Sequence, residues 1–504
     1  MLEQNISLMD RCVAEGMDII IVSTNSALQE KYWQQRLEQT RGTITKPSTI
    51  LLAVHEDWSG GAGNGLGTLY SFQKAQLKAR AYHNVDLLEA LNKGASIALY
   101  HTAGDGKRLY PLTAAEYGNK SAVKLPGVVK IGNRFAPITL LEAVIKQTAP
   151  YAASRKGRLS VFWGDQLFVP STSFTYTPSH HVDILVKLAP FPTAQQWKEQ
   201  GFQNYGFVAL QTSGEALHIE KTNFETVRQM EAEGIIPAHS KTGMSFGAFS
   251  LSAHILDLFL AEYEAELREK TRKFDTDPHF WMASTLPQRT YVAAMKEKGT
   301  SEEQSETHWH RMQNFRKNCG NAPFFTAVDC GTECCWWDFG TLQNYYHNIL
   351  KLVSETAEGA LIRHFFGAKM ENGSCFQASK IKGGTVRNSV VVCTTAETLD
   401  AEYSVIIGCT ATSLKIHSGI LYEILETANT TFAPETVRAD LMLPRKGEHV
   451  KLSTLLSSDS KTEWHMRLPG NSYSFEEIRD KILPIDFTVA QKTFEKLKVI
   501  AFAW

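Results

Sequence analysis

The chain lacks several features that would place it in a broad class at once. Its 504 residues include 8 cysteines, too few for a disulfide scaffold, so we expect reduced thiols. Positive charge is not in excess, because 52 Lys and Arg oppose 53 Asp and Glu; the net charge of -1 excludes a general attraction to nucleic acid or anionic membranes. Apolar runs stay far below the roughly 20 residues of a membrane span, and the polar N-terminus does not read as a secretory leader. We therefore expect a cytoplasmic protein.

One group of soft side chains raises the question of a metal site. Cys330, Cys334 and Cys335 follow His308 and His310 in an aromatic-rich stretch. The spacing contains no paired C-x-x-C, and adjacent cysteines seldom ligate one ion together. We expect buried thiols here, with zinc as the alternative.

Strands and helices alternate over the first third of the chain, which is typical of an α/β protein. Apolar, β-branched runs predict strands at Met17–Ser23, Thr49–His55, Ala95–His101 and Leu159–Trp163. Helical patterns lie between them, at Leu28–Thr40, Ser71–Asn92 and Thr139–Gln147. This order predicts a doubly wound, mostly parallel sheet with helices on both faces, where ligands bind at the carboxyl ends of the strands.

The texture of the sequence changes beyond about Gly373. Further helical patterns at Ala253–Lys273 and Leu342–His364 give way to short Val, Ile and Thr runs whose apolar residues recur at a spacing near six. This predicts a few rungs of a parallel β-helix. The expected organisation is a catalytic domain at 1–368 and a β-helix-like domain with a terminal α/β tail at 369–504, through which homo-oligomers could assemble.

A glycine-bearing segment with basic residues follows the predicted strand Ala95–His101. Gly104, Asp105 and Gly106 let the backbone approach a polyphosphate and present its N–H groups, and Lys107 and Arg108 supply charge. A dinucleotide fingerprint is excluded for the earlier segment GAGNGLG because its spacing fails, and no G-K-[ST] follows either segment, which disfavours a P-loop kinase. The sequence thus predicts a phosphate-binding loop at Gly104–Arg108.

The surrounding residues resemble the sugar nucleotidyltransferase family. Arg108, Pro111 and Thr113 complete the pattern G-x-G-x-R-x-x-P-x-T, and Lys120 follows it before a short apolar-Pro segment. The resemblance spans roughly residues 15 to 365. It implies transfer of a nucleotidyl group from a nucleoside triphosphate to a sugar 1-phosphate, with release of pyrophosphate.

Later motifs agree in order with that family. Asp165, in VFWGDQ, and Asp338, in WWDFGT, match its two metal ligands, which implies Mg²⁺. Gly206, Glu220 and Lys221 match its sugar-binding positions, and Gly247 matches the close approach on the next strand. The resemblance implies that Arg108 binds the leaving pyrophosphate and that Lys120 or Lys221 binds the sugar phosphate.

The order of the first elements departs from the usual family. The segment 59–72, which contains Gly63, Gly65, Gly67 and Thr68 and matches the family's base-contacting element, precedes the phosphate loop. This permuted order resembles fucose-1-phosphate guanylyltransferases, and that resemblance selects Lys120 over Lys124. No motif fixes the base or the sugar, so GDP-fucose and a UDP-hexose both remain open as products. The alternative function is a non-catalytic regulatory paralogue that binds a nucleotide sugar.

Overall fold

The computed structural model describes residues 1–102, 104, 106–444, 447–459 and 462–501. Four parallel strands form one half of its main sheet, in the spatial order Ile50–His55, Ile19–Thr24, Ile97–His101 and Arg158–Trp163. All four strands predicted from the sequence are therefore confirmed. Their near-continuous Val, Ile and Leu content reflects burial on both faces, as expected for parallel strands.

The other half of the main sheet is largely antiparallel. Strand Thr242–Ser252 runs antiparallel to Arg158–Trp163 and also pairs with Val182–Ala189 and Gly206–Leu210. Ala216–Glu220 closes one edge as a hairpin, and Phe325–Asp329 adds a strand parallel to Val182–Ala189. The sheet is thus mixed rather than mostly parallel, because hairpins replace helical crossovers in this half.

Helices cover both faces of the parallel half. Ile20 and Val22 pack with Trp33 and Leu37 of one helix, whereas Ile21 packs on the opposite face. The helices of eight or more residues are Leu2–Met9, Ala27–Thr40, Gly63–His83, Leu140–Thr148, Phe224–Ala232, Ala253–Glu262, Gln288–Glu297, Glu302–Asn318, Leu342–Leu350, Ala357–Phe366, Phe475–Ile482 and Phe487–Ala501. None of the described helices is both long and apolar enough to span a membrane.

Local signals explain where several helices begin. Ser26 accepts a hydrogen bond from the Gln29 amide at the start of Ala27–Thr40, and Thr139 forms a capping box with Glu142. The helix predicted at Ser71–Asn92 differs from the structure: it begins at Gly63 and ends at His83, and a second helix covers Leu87–Asn92. Glycine lowers helix propensity, which is why the pattern underestimated this helix at its N-terminal end.

Beyond residue 373 the chain forms parallel strands in two sheets. One sheet contains Ser374–Gln377, Val390–Val392, Val405–Ile407 and Ile420–Tyr422, and the other contains Thr395–Glu402, Thr410–His417 and Leu425–Thr431. Equivalent residues such as Ser389 and Ser404 lie 15 positions apart. The repeat is therefore 15 residues rather than about six. The shorter spacing in the sequence arises because each repeat contributes buried residues to both sheets.

The terminal segment returns to the first unit. Strands Thr436–Leu443 and Glu448–Leu455 pair antiparallel, and Phe475, Ile478 and Phe487 belong to the same apolar cluster as Val22. The two predicted units thus share one continuous core on this face of the main sheet.

Candidate functional site

The parallel strands end together at one edge of the main sheet, beside a cavity of about 600 Å³. Strand Ile19–Thr24 lies between Ile50–His55 and Ile97–His101. The chain therefore leaves Ile19–Thr24 toward one side of the sheet, and after Ile50–His55 it crosses back to the other side. Ligands of open α/β sheets bind at such a switch point. The cavity is lined there by Asn25, Ser26, Gly60, Gly104, Tyr117, Gly118, Asn119 and Lys273, and by Arg479, Ile482, Leu483, Ile485 and Phe487 from the terminal segment.

The predicted phosphate loop lies at this cavity. Gly104 has a φ of +130°, and a Cβ added there would meet nothing within 4 Å, so its backbone faces open space. Gly106 has a φ of +57° and instead packs on Lys120, whose Cβ would be 3.1 Å from an added Cβ. Lys107 and Arg108 follow in an exposed helical turn. Asp105, also predicted to bind nucleotide, lies outside the described residues.

The structure brings Lys120 and Asp165 into an ion pair. The turn at Gly164 fits tightly against the neighbouring strand end, because a Cβ on Gly164 would lie 2.9 Å from Ser121 Oγ and 3.1 Å from the His101 carbonyl. Lys124, the rejected alternative to Lys120, is buried and pairs with Glu116 and Glu423. Its ammonium group is held in the interior, so Lys120 is the lysine that lies beside the loop.

Asp338 lies on a two-stranded ribbon whose other strand begins directly after Asp165. Gln166–Val169 pairs antiparallel with Cys335–Asp338, and Asp338 is the cross-strand partner of Gln166. Its Oδ1 accepts a hydrogen bond from the Gly340 amide at 2.8 Å, and its Oδ2 accepts one from Asn344 at 3.2 Å.

The Arg108 side chain also lies near this ribbon, beside Gly340. A Cβ on Gly340 would lie 2.9 Å from Asp338 Oδ1 and 3.4 Å from Arg108 Nη2. Arg108 thus lies close to Asp338, and Lys120 pairs with Asp165, the residue that precedes the cross-strand partner of Asp338. More than 200 residues separate Arg108 from Asp338 in sequence.

The predicted sugar-binding residues lie on a neighbouring hairpin. Gly206 and Glu220 are cross-strand partners, and the Lys221 amide donates to the Tyr205 carbonyl at 3.2 Å. Burial and the charge of Asp338 raise the pKa of the Tyr205 hydroxyl, while Arg108 opposes that shift. Tyr205 thus connects the hairpin to the cluster of Arg108 and Asp338.

Gly247, which the resemblance predicts at a close approach, lies against the side chain of Trp163. It sits at a bulge in Thr242–Ser252 with a φ of +73°, and a Cβ there would lie 2.3 Å from Trp163 Nε1. The absence of a side chain at this position allows the indole ring to lie against the strand.

The earlier glycine segment is also packed against protein. A Cβ on Gly63 or Gly65 would lie 2.6 or 2.9 Å from the Phe274 carbonyl, and one on Gly67 would lie 2.7 Å from Glu56 Oε1. The Thr68 hydroxyl contacts His101 Nε2 at 2.8 Å. Gly65, Gly67 and Thr68 are buried, so of this region it is Gly60 that lines the cavity.

Sequence reasoning missed the contribution of the terminal segment. The Lys107 ammonium lies 4.5 Å from the centre of the Trp464 ring, and Tyr110 packs on Trp464 and Phe475. Asn119 was also missed; it is buried in the cavity wall, and its side-chain amide has no hydrogen-bond partner among the described residues. No motif marks these residues, and the amphipathic pattern SYSFEEIRDKI indicates a helix but not what it covers.

The cysteines are all free. Burial raises the pKa of the Cys335 thiol to about 11 and also raises that of Cys330, which favours the protonated form. His308 is bonded to the His279 carbonyl at 2.8 Å, and burial lowers its pKa to about 4. Within the described residues these side chains do not converge on one point, which supports buried thiols over the zinc alternative.

Comparisons with known proteins give little likeness. No family model matches, and no curated protein matches. Among solved structures the chain is similar to HddC from Yersinia pseudotuberculosis, at 12% identity over 68% of this chain and 82% of that chain, with a TM-score of 0.26. A second similar structure is HddC complexed with GMP-PN, at 9% identity, 67% and 100% coverage, and a TM-score of 0.25. Any assignment of function therefore depends on the site itself.

Proposed function

We propose that this chain transfers a nucleotidyl group from a nucleoside triphosphate to a sugar 1-phosphate and releases pyrophosphate. The observation that carries the proposal is the convergence of Arg108, Lys120, Asp165 and Asp338 beside an open glycine loop. A cavity of about 600 Å³ at the switch point of the sheet is large enough for a nucleoside. Anion-binding, cation-binding and nucleoside-sized features thus adjoin one another.

The physical demand of this reaction matches the charges present. A phosphate oxygen of the sugar attacks the α-phosphorus of the nucleotide, so two anions must approach each other. The open backbone at Gly104 and the Arg108 guanidinium would hold the triphosphate tail and the leaving pyrophosphate. Lys120, released from Asp165 as substrate enters, would neutralise the attacking phosphate, with Lys221 as the second candidate for this role.

The chemistry of the donor set fits Mg²⁺. Asp338 is the cross-strand partner of Gln166, which directly follows Asp165, and both aspartates offer carboxylate oxygens, the ligands that this ion prefers. When bound, Mg²⁺ would supply charge neutralisation between the phosphates. Tyr205 would then border the sugar side, where Gly206 offers backbone groups and Glu220 a hydroxyl acceptor.

The experiment crosses the four nucleoside triphosphates with several sugar 1-phosphates in Mg²⁺ and measures pyrophosphate release and thermal stabilisation together. We expect one pair to turn over, with GTP and fucose 1-phosphate, or UTP and a hexose 1-phosphate, as the first pairs to try. Thermal stabilisation without pyrophosphate release would contradict the proposal and would indicate the non-catalytic paralogue instead. If no combination in the panel gives turnover or thermal stabilisation, nucleotide-sugar chemistry is refuted altogether.

We also infer that the 15-residue repeats after residue 373 are turns of a short parallel β-helix. Strand Val405–Ile407 pairs in parallel with Val390–Val392 on one side and Ile420–Tyr422 on the other, and the second sheet repeats this arrangement. The antiparallel pair Thr436–Leu443 and Glu448–Leu455 covers one end of the stack. We propose homo-oligomerisation through this domain, which sedimentation of the full chain would test.

A further inference from the structure

Three potential ligands converge beside the hairpin that carries Gly206. His218 and Glu220 lie two residues apart on strand Ala216–Glu220 and therefore project from the same face. Asp277 faces them from the turn Thr276–Trp281, which has π-helical hydrogen bonding, a rare form found frequently at functional sites. The ligand atoms of the three side chains all lie within 4.8 Å of one another.

The imidazole of His218 is buried without a hydrogen bond. Its side chain is 0% exposed, and neither ring nitrogen has a hydrogen-bond partner among the described residues. Nε2 lies 3.2 Å from Asp277 Oδ1, but not in a direction that makes a hydrogen bond. Leaving a buried polar atom without a hydrogen bond is unfavourable, so its presence here calls for a partner.

The charges around His218 favour a cation. The carboxylates of Glu220 and Asp277 both lie beside the buried imidazole, with ligand oxygens within 4.8 Å of each other, so two like charges face one another there. The Lys221 ammonium lies 3.0 Å from Glu220 Oε1, but its side chain is 60% exposed and can turn into solvent. The Lys298 ammonium donates to the backbone carbonyl of Glu220 at 3.0 Å. A bound cation would relieve the repulsion without removing a buried positive charge.

The spacing of the ligand atoms suits one metal ion. Tetrahedral ligands about 2.0 to 2.2 Å from a shared ion are separated from each other by roughly 3.3 to 3.6 Å, and the Nε2 to Oδ1 distance of 3.2 Å is close to that range. Gly206 leaves the necessary room, because a Cβ there would lie 2.7 Å from His218 Cε1 and 3.4 Å from Glu220 Oε2.

We propose that His218, Glu220 and Asp277 bind a divalent transition-metal ion of the Zn²⁺ type. An imidazole with two carboxylates favours such an ion over Mg²⁺, which prefers oxygen ligands alone. This site does not include Asp165 or Asp338, and it shares Glu220 with the proposed sugar-binding residues. Three protein ligands leave a fourth coordination position open, and the ion joins the hairpin to the π-helical turn.

The test uses the full chain, freed of metal with a chelator and dialysed against a small excess of Zn²⁺ or Mg²⁺ without nucleotide or sugar. We expect elemental analysis to give one tightly held Zn²⁺ per chain, and Zn²⁺ alone to raise Tm. With Co²⁺ as a probe, a visible absorption spectrum should appear. Failure to retain Zn²⁺ would overturn the proposal without touching the proposed transferase activity, because no turnover is measured.

Matched variants assign the site. Asp277→Asn and His218→Gln should lose the bound Zn²⁺, the Co²⁺ spectrum and the rise in Tm. His181→Gln is the control, because His181 also has an unpartnered Nε2 but lies beside Ser252 and His254 rather than carboxylates. If His218→Gln does not fold, Asp277→Asn decides, since the side chain of Asp277 is 20% exposed. Unchanged Zn²⁺ retention in Asp277→Asn would refute the assignment.

Discussion

Two glycine-bearing segments, one with Gly104 and one with Gly65, follow parallel strands that end at the same edge of the main sheet. They differ in what lies against their backbone. At Gly104 the space around the missing side chain is open, and the residue lines the cavity. At Gly65 the same space holds the Phe274 carbonyl and the Phe280 ring, and the Gly65 amide donates to that carbonyl. The missing side chain leaves open space beside Gly104, whereas at Gly65 it makes room for other parts of the protein.

The largest effect should come from the metal pair beside the open segment. Asp165→Asn removes one carboxylate charge from the proposed Mg²⁺ site and from Lys120, so we expect turnover to fall to background. Tm should change little, since the ion pair it breaks is partly exposed. Pyrophosphate release and thermal unfolding measure the two quantities. Asp257→Asn, at an exposed position of helix Ala253–Glu262, is the control. If Asp165→Asn is as active as that control, Asp165 has no part in the mechanism.

Arg108→Ala should give the next largest effect. Loss of one preorganised cation at the leaving group costs on the order of 3 kcal/mol, which is on the order of 100-fold in kcat/KM. Steady-state kinetics measure this effect. Arg134→Ala, which removes another exposed arginine, is the control. A change of less than threefold would mean that the open segment does not hold the pyrophosphate.

A pair of glycine variants breaks the comparison directly. Gly65→Ala forces a Cβ to 2.9 Å from the Phe274 carbonyl, so we expect Tm to fall even though alanine raises helix propensity by about 1 kcal/mol. Gly104→Ala changes an exposed loop, so Tm should fall less than in Gly65→Ala, while the KM for the nucleotide rises several-fold. Its φ of +130° forces the loop to rearrange. The reverse pattern would transfer nucleotide binding to the earlier segment.

The smallest effect should separate packing from positioning in the terminal segment. Trp464→Leu removes the ring beneath Lys107, and a cation–π contact contributes about 0.5 to 1 kcal/mol. We expect a two- to fivefold rise in nucleotide KM with kcat unchanged, and Trp464→Phe should restore most of it. In a Lys107→Met background the Trp464→Leu change should have no further effect on KM, whereas additive effects would reduce Trp464 to a packing role.

Local sequence patterns were sufficient for the parallel half of the fold. Buried strands such as Ile19–Thr24 are continuous apolar runs, and helix starts such as Thr139 carry their own capping residues. The antiparallel half was less predictable, because pairing across Thr242–Ser252 depends on contacts between distant segments and not on any local period. The 15-residue repeat was obscured for a similar reason, since two sheets share each turn.

The sequence by itself determined the candidate chemistry: a glycine-bearing loop, the cations Arg108 and Lys120, and the carboxylates Asp165 and Asp338. Only the tertiary structure decided which of them meet, because a ribbon between residues 166–169 and 335–338 joins segments that are distant in the chain. It alone also placed Trp464 under Lys107 and set His218 against Asp277. Residue types carry charge and hydrogen-bonding capacity, but long-range strand pairing and packing set the distances over which those properties act.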